Sequence, residues 1–193
     1  MKRLVFALLL STVLLSGCGY NSLQQGDEGI KAAWSEVVNQ YQRRADLVPN
    51  LVKTVKAYAT HEKEVFEQVT EARSKVGSLN VTADVLNDEA ALKKFQEAQA
   101  TMGSALGRLL AVSENYPQLK ADGVYRDLQA QLEGTENRIT VARGRYIKEV
   151  QDYNVTVRSF PSNLTASLFG FSTKPNFSVE NEAAIAKAPD VNL

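Results

Sequence analysis

From Ile30 to Phe160 the apolar residues of this chain recur at alternating steps of three and four, a spacing that places them along helix faces. Ile30, Trp34, Val37 and Tyr41 form one stripe. Leu51, Val55, Tyr58, Glu62, Val65, Val69, Ala72 and Val76 form a second. Leu92, Phe95, Gln99, Met102, Leu106 and Leu109 form a third, with Ala91, Ala98, Ala105 and Val112 beside it. The longest runs through Tyr125, Leu128, Leu132, Thr135, Ile139, Ala142, Tyr146, Val150, Tyr153, Val157 and Phe160. No segment sustains period-two alternation, so the chain is expected to be all-α. Its 44% apolar and 23% charged content suits a packed core rather than a disordered chain.

Punctuation residues suggest where the helices end. Asp46 suits an N-cap, which would put Pro49 in a first turn where it is tolerated. Gly77-Ser78, Asn115-Tyr116-Pro117 and Pro161 are stops, and Asp88 suits a start. Whether residues 24–76 make one kinked helix or two is less direct. The register passes through Arg44 and Val48 without a slip, which favours one. Length favours two, because a single helix would run roughly 80 Å against partners of roughly 40 and 55 Å. A break near Ala45 gives four helices of roughly 30, 45, 40 and 55 Å, able to pack as an antiparallel four-helix bundle with long helices over residues 30–160. Residues 18–29 then read as a tether, and 161–193 as an irregular aromatic-containing segment with a disordered tail. In that arrangement Phe160 to Phe177 lie beside the chain's start and the Arg43–Pro49 turn lies at the opposite end.

The start of the chain carries an address. Lys2-Arg3 is followed by twelve uncharged residues, Leu4 to Leu15. That is too short for a bilayer span of about 20 residues and suits a signal-peptide core. Leu15, Ser16, Gly17 and Cys18 then resemble the bacterial lipobox: an apolar residue, two small ones that admit a peptidase, and a thiol that takes the lipid. Cys18 is the one cysteine in the chain. Residues 1–17 are therefore expected to be removed and Cys18 to carry acyl chains such as palmitate. Gly19 rather than Asp after the cysteine resembles sorting to the outer membrane in enterobacterial lipoproteins. The domain would face the periplasm or the exterior.

Composition removes most chemistry. Lys+Arg and Asp+Glu both number 22, and Lys2 and Arg3 fall in the leader, so the remainder is slightly acidic and no strongly basic nucleic-acid binder. One cysteine makes no intrachain disulfide or thiolate zinc site. His61 is the one histidine, and Tyr58 stands where a Glu-x-x-His di-metal pair would need Glu. No nucleophile–His–acid set and no Gly-rich phosphate loop can be assembled. No enzyme activity, catalytic residue, metal or cofactor is expected.

Several features point instead to contact. Arg43, Arg44 and Asp46 would mark a charged corner, either a solvated cap or a partner contact. Glu62 holds a core-register position, lying at the stripe edge or facing Arg138, Arg143 or Arg145. Gly103 and Gly107 would let α-helices approach closely. Of the six phenylalanines past the leader, four fall between Phe160 and Phe177. That segment is either a plug folded onto the bundle end or a docking patch, with Leu168, Phe169 and Phe171 as its contacts. Four Asn-x-Ser/Thr triplets, at Asn80, Asn154, Asn163 and Asn176, read as chance beside a bacterial lipobox.

Separate blocks of the chain resemble one family. They are Ala33-Trp34-Ser35, the run from Gln42-Arg43-Arg44-Ala45-Asp46-Leu47-Val48-Pro49-Asn50-Leu51-Val52 to His61-Glu62, Glu114-Asn115-Tyr116-Pro117-Gln118-Leu119-Lys120-Ala121, Leu132-Glu133-Gly134-Thr135-Glu136-Asn137-Arg138-Ile139 with Arg143 and Arg145-Tyr146, Asp152-Tyr153-Asn154, Phe160-Pro161-Ser162-Asn163, and Leu168-Phe169-Gly170-Phe171. In this order they resemble the LemA family, from Tyr20 to about Phe177. The resemblance implies an envelope-anchored helical bundle with no established reaction. Many relatives carry an uncleaved N-terminal membrane helix, and this chain departs from them in its lipobox. The function expected is a non-enzymatic scaffold or regulator binding another envelope protein, such as a membrane protease or its regulator. The alternatives are a membrane-surface organiser acting through the aromatic segment and, more remotely, a small-ligand binder.

Overall fold

Pro49 does not break the first helix. In the computed structural model, which describes the backbone at residues 2–79 and 81–177 and side chains from Gly19 onward, α1 runs from Lys2 to Lys56 with Pro49 inside it. A mid-helix proline removes one N–H and leaves the carbonyl four residues earlier without its partner. Here that carbonyl belongs to Ala45, and Arg73 Nε of the next helix donates to it at 3.1 Å. The orphaned acceptor is satisfied from outside, so the apolar register continues unbroken through Tyr41, Ala45, Val48, Leu51 and Val55, all buried. The break expected near Ala45 is therefore corrected. Asp46 is no cap but an exposed mid-helix residue accepting from Gln42 Nε2 at 2.8 Å.

The chain turns between α1 and α2, Lys63–Gly77, at residues 57–62. Beyond them come a 3-10 turn at Ala83–Asn87, α3 (Glu89–Ser113), a short α4 (Pro117–Ala121), α5 (Gly123–Arg158) and α6 (Ser162–Phe169). No strand occurs among the described residues, and the fold is all-α. Asp88 starts α3 by accepting from Ala90 N and Ala91 N, and Asp122 starts α5 by accepting from Tyr125 N, each filling orphan donors of a first turn.

Four helices alternate in direction. α1 and α5 form the long antiparallel pair, Gly26 lying beside Tyr153, Gly29 beside Glu149, Arg44 beside Glu136 and Tyr58 beside Asp122. From Gly19 onward α1 spans roughly 55 Å, matching the 36 residues of α5. Close approach of the pair needs glycine on α1: a Cβ at Gly26 would stand 2.9 Å from the Tyr153 ring. Gly103 and Gly107 do not serve that purpose. A Cβ at Gly103 would meet only Arg44 Nη1, at 3.8 Å, and one at Gly107 would meet nothing.

α2 is too short to cover the whole pair. It packs on the half holding Val48, Leu51 and Val55, with Phe66, Val69 and Ala72 buried. The other half is closed by irregular chain. Val85 and Leu86 of the 3-10 turn, with Phe171 and Phe177 beyond α6, cover the core around Trp34, Phe95 and Tyr146. Two further expectations change. Residues 19–29 are no loose tether but part of α1, with Leu23 fully buried, and residues 162–169 are helical rather than irregular. The tail beyond Phe177 and the side chains of Leu15, Ser16, Gly17 and Cys18 lie outside the described residues.

Leu106 and Leu132 are both buried in the half of the core that α2 covers. Truncating either to Ala should cost about 2–5 kcal/mol in chemical denaturation. A loss below about half a kcal/mol would contradict this packing.

Candidate functional site

The two halves of the core are separated by a polar layer. Arg44 follows Tyr41 on the buried face of α1, and only 4% of it is exposed. Its Nη2 donates to Gln99 Oε1 at 2.6 Å and to the Gln99 carbonyl at 2.9 Å. Its Nη1 pairs with Glu136 Oε1 at 3.2 Å. The guanidinium also lies over the Tyr41 ring, 4.9 Å from its centre. Thr135 is fully buried in the same layer, its hydroxyl returned to the Gln131 carbonyl of its own helix. Buried charge must be hydrogen-bonded to persist, and this one uses both terminal nitrogens. Arg44 Nε has no hydrogen-bond partner among the described residues.

Beside this layer a groove of about 590 Å³ opens between α3 and α5. Arg44, Gln99, Glu136 and Arg143 supply its polar wall, and Ile139, Ile147 and Phe177 its apolar one. Gly103 keeps the α3 side open, where a larger side chain would fill the space over Arg44. Arg143 lies 4.8 Å from the centre of the Phe177 ring, a cation–π contact that fixes the end of the groove. Burial pushes the Tyr41 hydroxyl up in spite of the Arg143 and Arg44 charges beside it, so it stays neutral.

Phe177 is held there by an extended strap, residues 171–177. Asn154 clamps it from both sides, Nδ2 donating to the Lys174 carbonyl at 2.9 Å and Oδ1 accepting from Lys174 N at 2.8 Å. Tyr146 donates to the Pro175 carbonyl at 3.1 Å. Lys174 Nζ reaches Asn87 at 2.6 Å and Asp27 at 3.0 Å, tying the strap to the 3-10 turn and to α1. Partial burial raises the Asp27 carboxyl, but hydrogen bonds from Lys31 and Lys174 outweigh it and hold the group below its ordinary value. A lowered folded value stabilises above the unfolded value and loses that contribution as pH falls through the folded one. The strap should therefore loosen as pH drops below about 4, read as a fall in the protection of the Lys174 amide relative to its intrinsic exchange rate. Asp27→Asn should remove that pH dependence. An exchange rate that tracks pH identically in both proteins would rule the linkage out.

The predicted contact residues are thus divided. Arg43 and Asp46 are exposed on α1, whereas Arg44 is interior and faces the groove. Glu62 is half-buried at the far corner, accepting from Tyr116 at 3.3 Å, and does not meet the arginines of α5. His61 is exposed. Leu168 and Phe169 are exposed on α6, while Phe171 turns inward. Gly170 makes that turn possible: at φ 75° it takes the left-handed conformation that ends α6. The Phe171 N–H then closes on the Ala166 carbonyl at 2.9 Å. The plug reading anticipates that Phe171 and Phe177 fold back onto the core, but neither the hydrogen bonds of the strap nor the groove. Arg143 and Asn154 both lie in blocks that carry the family resemblance, but nothing local tells that they hold residues 20 or more positions away. Among the described residues no group of three or more His, Cys, Asp or Glu side chains is placed to hold a metal ion. No helix among them is long and apolar enough to cross a membrane.

Fold and site together define a helical-bundle protein closed by a C-terminal strap rather than by a fourth full-length helix. The chain belongs to the LemA family, whose sequence pattern matches residues 33–193. It is similar to magnetosome protein MamQ 2 of Paramagnetospirillum magneticum, 28% identical over 174 residues that cover 82% of this chain and 64% of that protein. It is similar also to magnetosome protein MamQ of Magnetospirillum gryphiswaldense, 28% identical over 168 residues, 79% of this chain and 62% of that one. Protein LemA of Metamycoplasma hominis is 24% identical over 148 residues, 76% of this chain and 63% of that protein. The chain thus spans less than two thirds of the length of these relatives.

Proposed function

We propose that this protein is a lipid-anchored component of the bacterial cell envelope that acts without catalysis, as a scaffold or regulator on which another envelope protein docks. The lipobox around Cys18 supports the anchor. The observation that carries the docking is the groove at mid-height. It sets the Arg143 side chain at its rim beside the Arg44–Glu136 pair, against an apolar wall. Two arginines against one carboxylate suit a partner segment that brings a carboxylate or backbone carbonyls together with an apolar side chain. The long α1–α5 pair would present that groove at a fixed height above the anchored end.

A photo-crosslinking side chain at Ile147, on the groove edge, should capture one discrete envelope protein in living cells. The same side chain at Val141, exposed on α5 and away from the groove, should not. Arg143→Ala removes a charged donor without emptying the core, and should weaken capture by about tenfold. Identical adducts from both positions, unchanged by Arg143→Ala, would dismiss the groove as a docking site. A second reading, action on the membrane surface through the C-terminal aromatic segment, draws support from the exposure of Leu168 and Phe169 on α6.

A further inference from the structure

The end of the bundle where α1 leaves Cys18 differs from the rest of the surface in two ways. It has no charge: from Gly19 to Gly26 and from Ser159 to Thr173 there is no Asp, Glu, Lys or Arg, in a chain with 44 such residues in all. It also exposes large apolar side chains. Leu164 and Leu168 stand one turn apart on α6, 63% and 79% exposed, Phe169 beside them is 57% exposed, and Phe160 in the turn just before the helix is 80% exposed. A soluble surface rarely gathers such side chains without a use for them.

The contact partner follows from where the chain comes from. A Cβ built on Gly19 would stand 3.2 Å from Thr165 Oγ1 of α6. The Tyr20 ring packs edge-on against Phe169 and Phe171, at 4.9 and 5.8 Å between centres. Cys18 is therefore one residue from α6, and acyl chains on its sulfur would hold a bilayer against this end. The geometry points to α6 as a second membrane contact: a short interfacial helix that lays Leu164, Leu168 and Phe169, with Phe160 of the preceding turn, into the lipid surface beside the anchor. This rests on the anchored reading above. Charged groups resist the headgroup–acyl boundary and apolar ones favour it, so a charge-free end with apolar side chains suits that boundary. Arg158, exposed just before the uncharged stretch, is placed where a lipid phosphate would meet it. The consequence is orientation. One flexible thiol-linked anchor leaves the bundle free to tilt, whereas an anchor plus α6 holds the α1–α5 axis upright and the groove at one height.

The test uses the full-length lipidated protein reconstituted into phosphatidylethanolamine–phosphatidylglycerol vesicles. Trp34 is the one native tryptophan and is buried, so Phe169→Trp and, separately, Leu168→Trp add a reporter at α6. With the helix about 5–10 Å into the boundary, lipids brominated high on the acyl chain should remove about half or more of the added emission and leave Trp34 unaffected. If the variants float with the vesicles and the new tryptophan is unquenched, the α6 contact is wrong and the anchor stands. If its emission is shielded but indifferent to bromine and varies with protein concentration, a second copy or another protein covers α6 and the lipid contact is wrong. If the protein does not float at all, the anchor and the α6 contact fall together.

Discussion

Replacing Trp34 with Ala is expected to destabilise the protein by about 3–5 kcal/mol, the cost of emptying a large aromatic site in a packed core. Trp34 sits where four parts of the chain meet. Its ring lies 5.0 Å from Phe95 on α3, 5.6 Å from Tyr146 on α5 and 6.3 Å from Phe177 on the strap. Its Nε1 donates to the Val81 carbonyl at 3.2 Å, holding the connector that leads into the 3-10 turn. Because α2 does not reach this half, no other helix takes over when the indole is removed. Trp34→Phe should be milder, losing that hydrogen bond, about 1 kcal/mol, and part of the ring area. Equilibrium denaturation of both variants checks the pair. Equal and small losses would mean that the connector and strap do not depend on the indole.

Cys18→Ala is expected to have the largest cellular effect. A thiol is the group that takes the lipid, and Ala offers none. Each buried CH₂ contributes about 0.8 kcal/mol and a single acyl chain anchors only marginally, so on the anchored reading proposed above losing the cysteine would remove durable attachment altogether. The variant should lose palmitate labelling and leave the detergent phase, while its bundle keeps the wild-type denaturation midpoint. Wild-type partitioning of Cys18→Ala would refute the anchor.

The helices were legible because their signals are local. The stripes through Leu92–Leu109 and Tyr125–Val157 need only a 3.6-residue period, and Asp88 and Asp122 lie next to the donors they cap. What the local signal could not supply was the partner of an unsatisfied group. Pro49 reads as a helix start because the proline itself says only that one N–H is missing. That Arg73, 28 residues on, fills the gap at Ala45 is a tertiary fact. Arg44 shows the same limit from the other side. Its place on the Tyr41–Val48 register was visible and pointed inward, while its charge argued for a solvated corner. Gln99 and Glu136, on two other helices, decide the matter. The strap is hardest to read, since Asn154 inside a helical run gives no sign that both ends of its amide are committed to Lys174.

The polar layer around Arg44 also divides the chain by how far its contacts reach along the sequence. On the α2 side the core is closed by short corners, residues 57–62 between α1 and α2 and 114–122 between α3 and α5, so neighbours in space are joined by little intervening chain. On the side of Gly19 and α6, Leu23 and Trp34 are sealed by Tyr153, Ala166 and Phe177, from much later in the chain. Joining ends so distant costs more loop entropy and depends on the last segments being present. A chain still emerging can thus close the half around Leu51 and Phe66 first. The half that holds Gly19, α6 and the strap is completed only when residues 160–177 arrive, so the surface proposed above to lie against lipid would be the last part of the molecule to take shape.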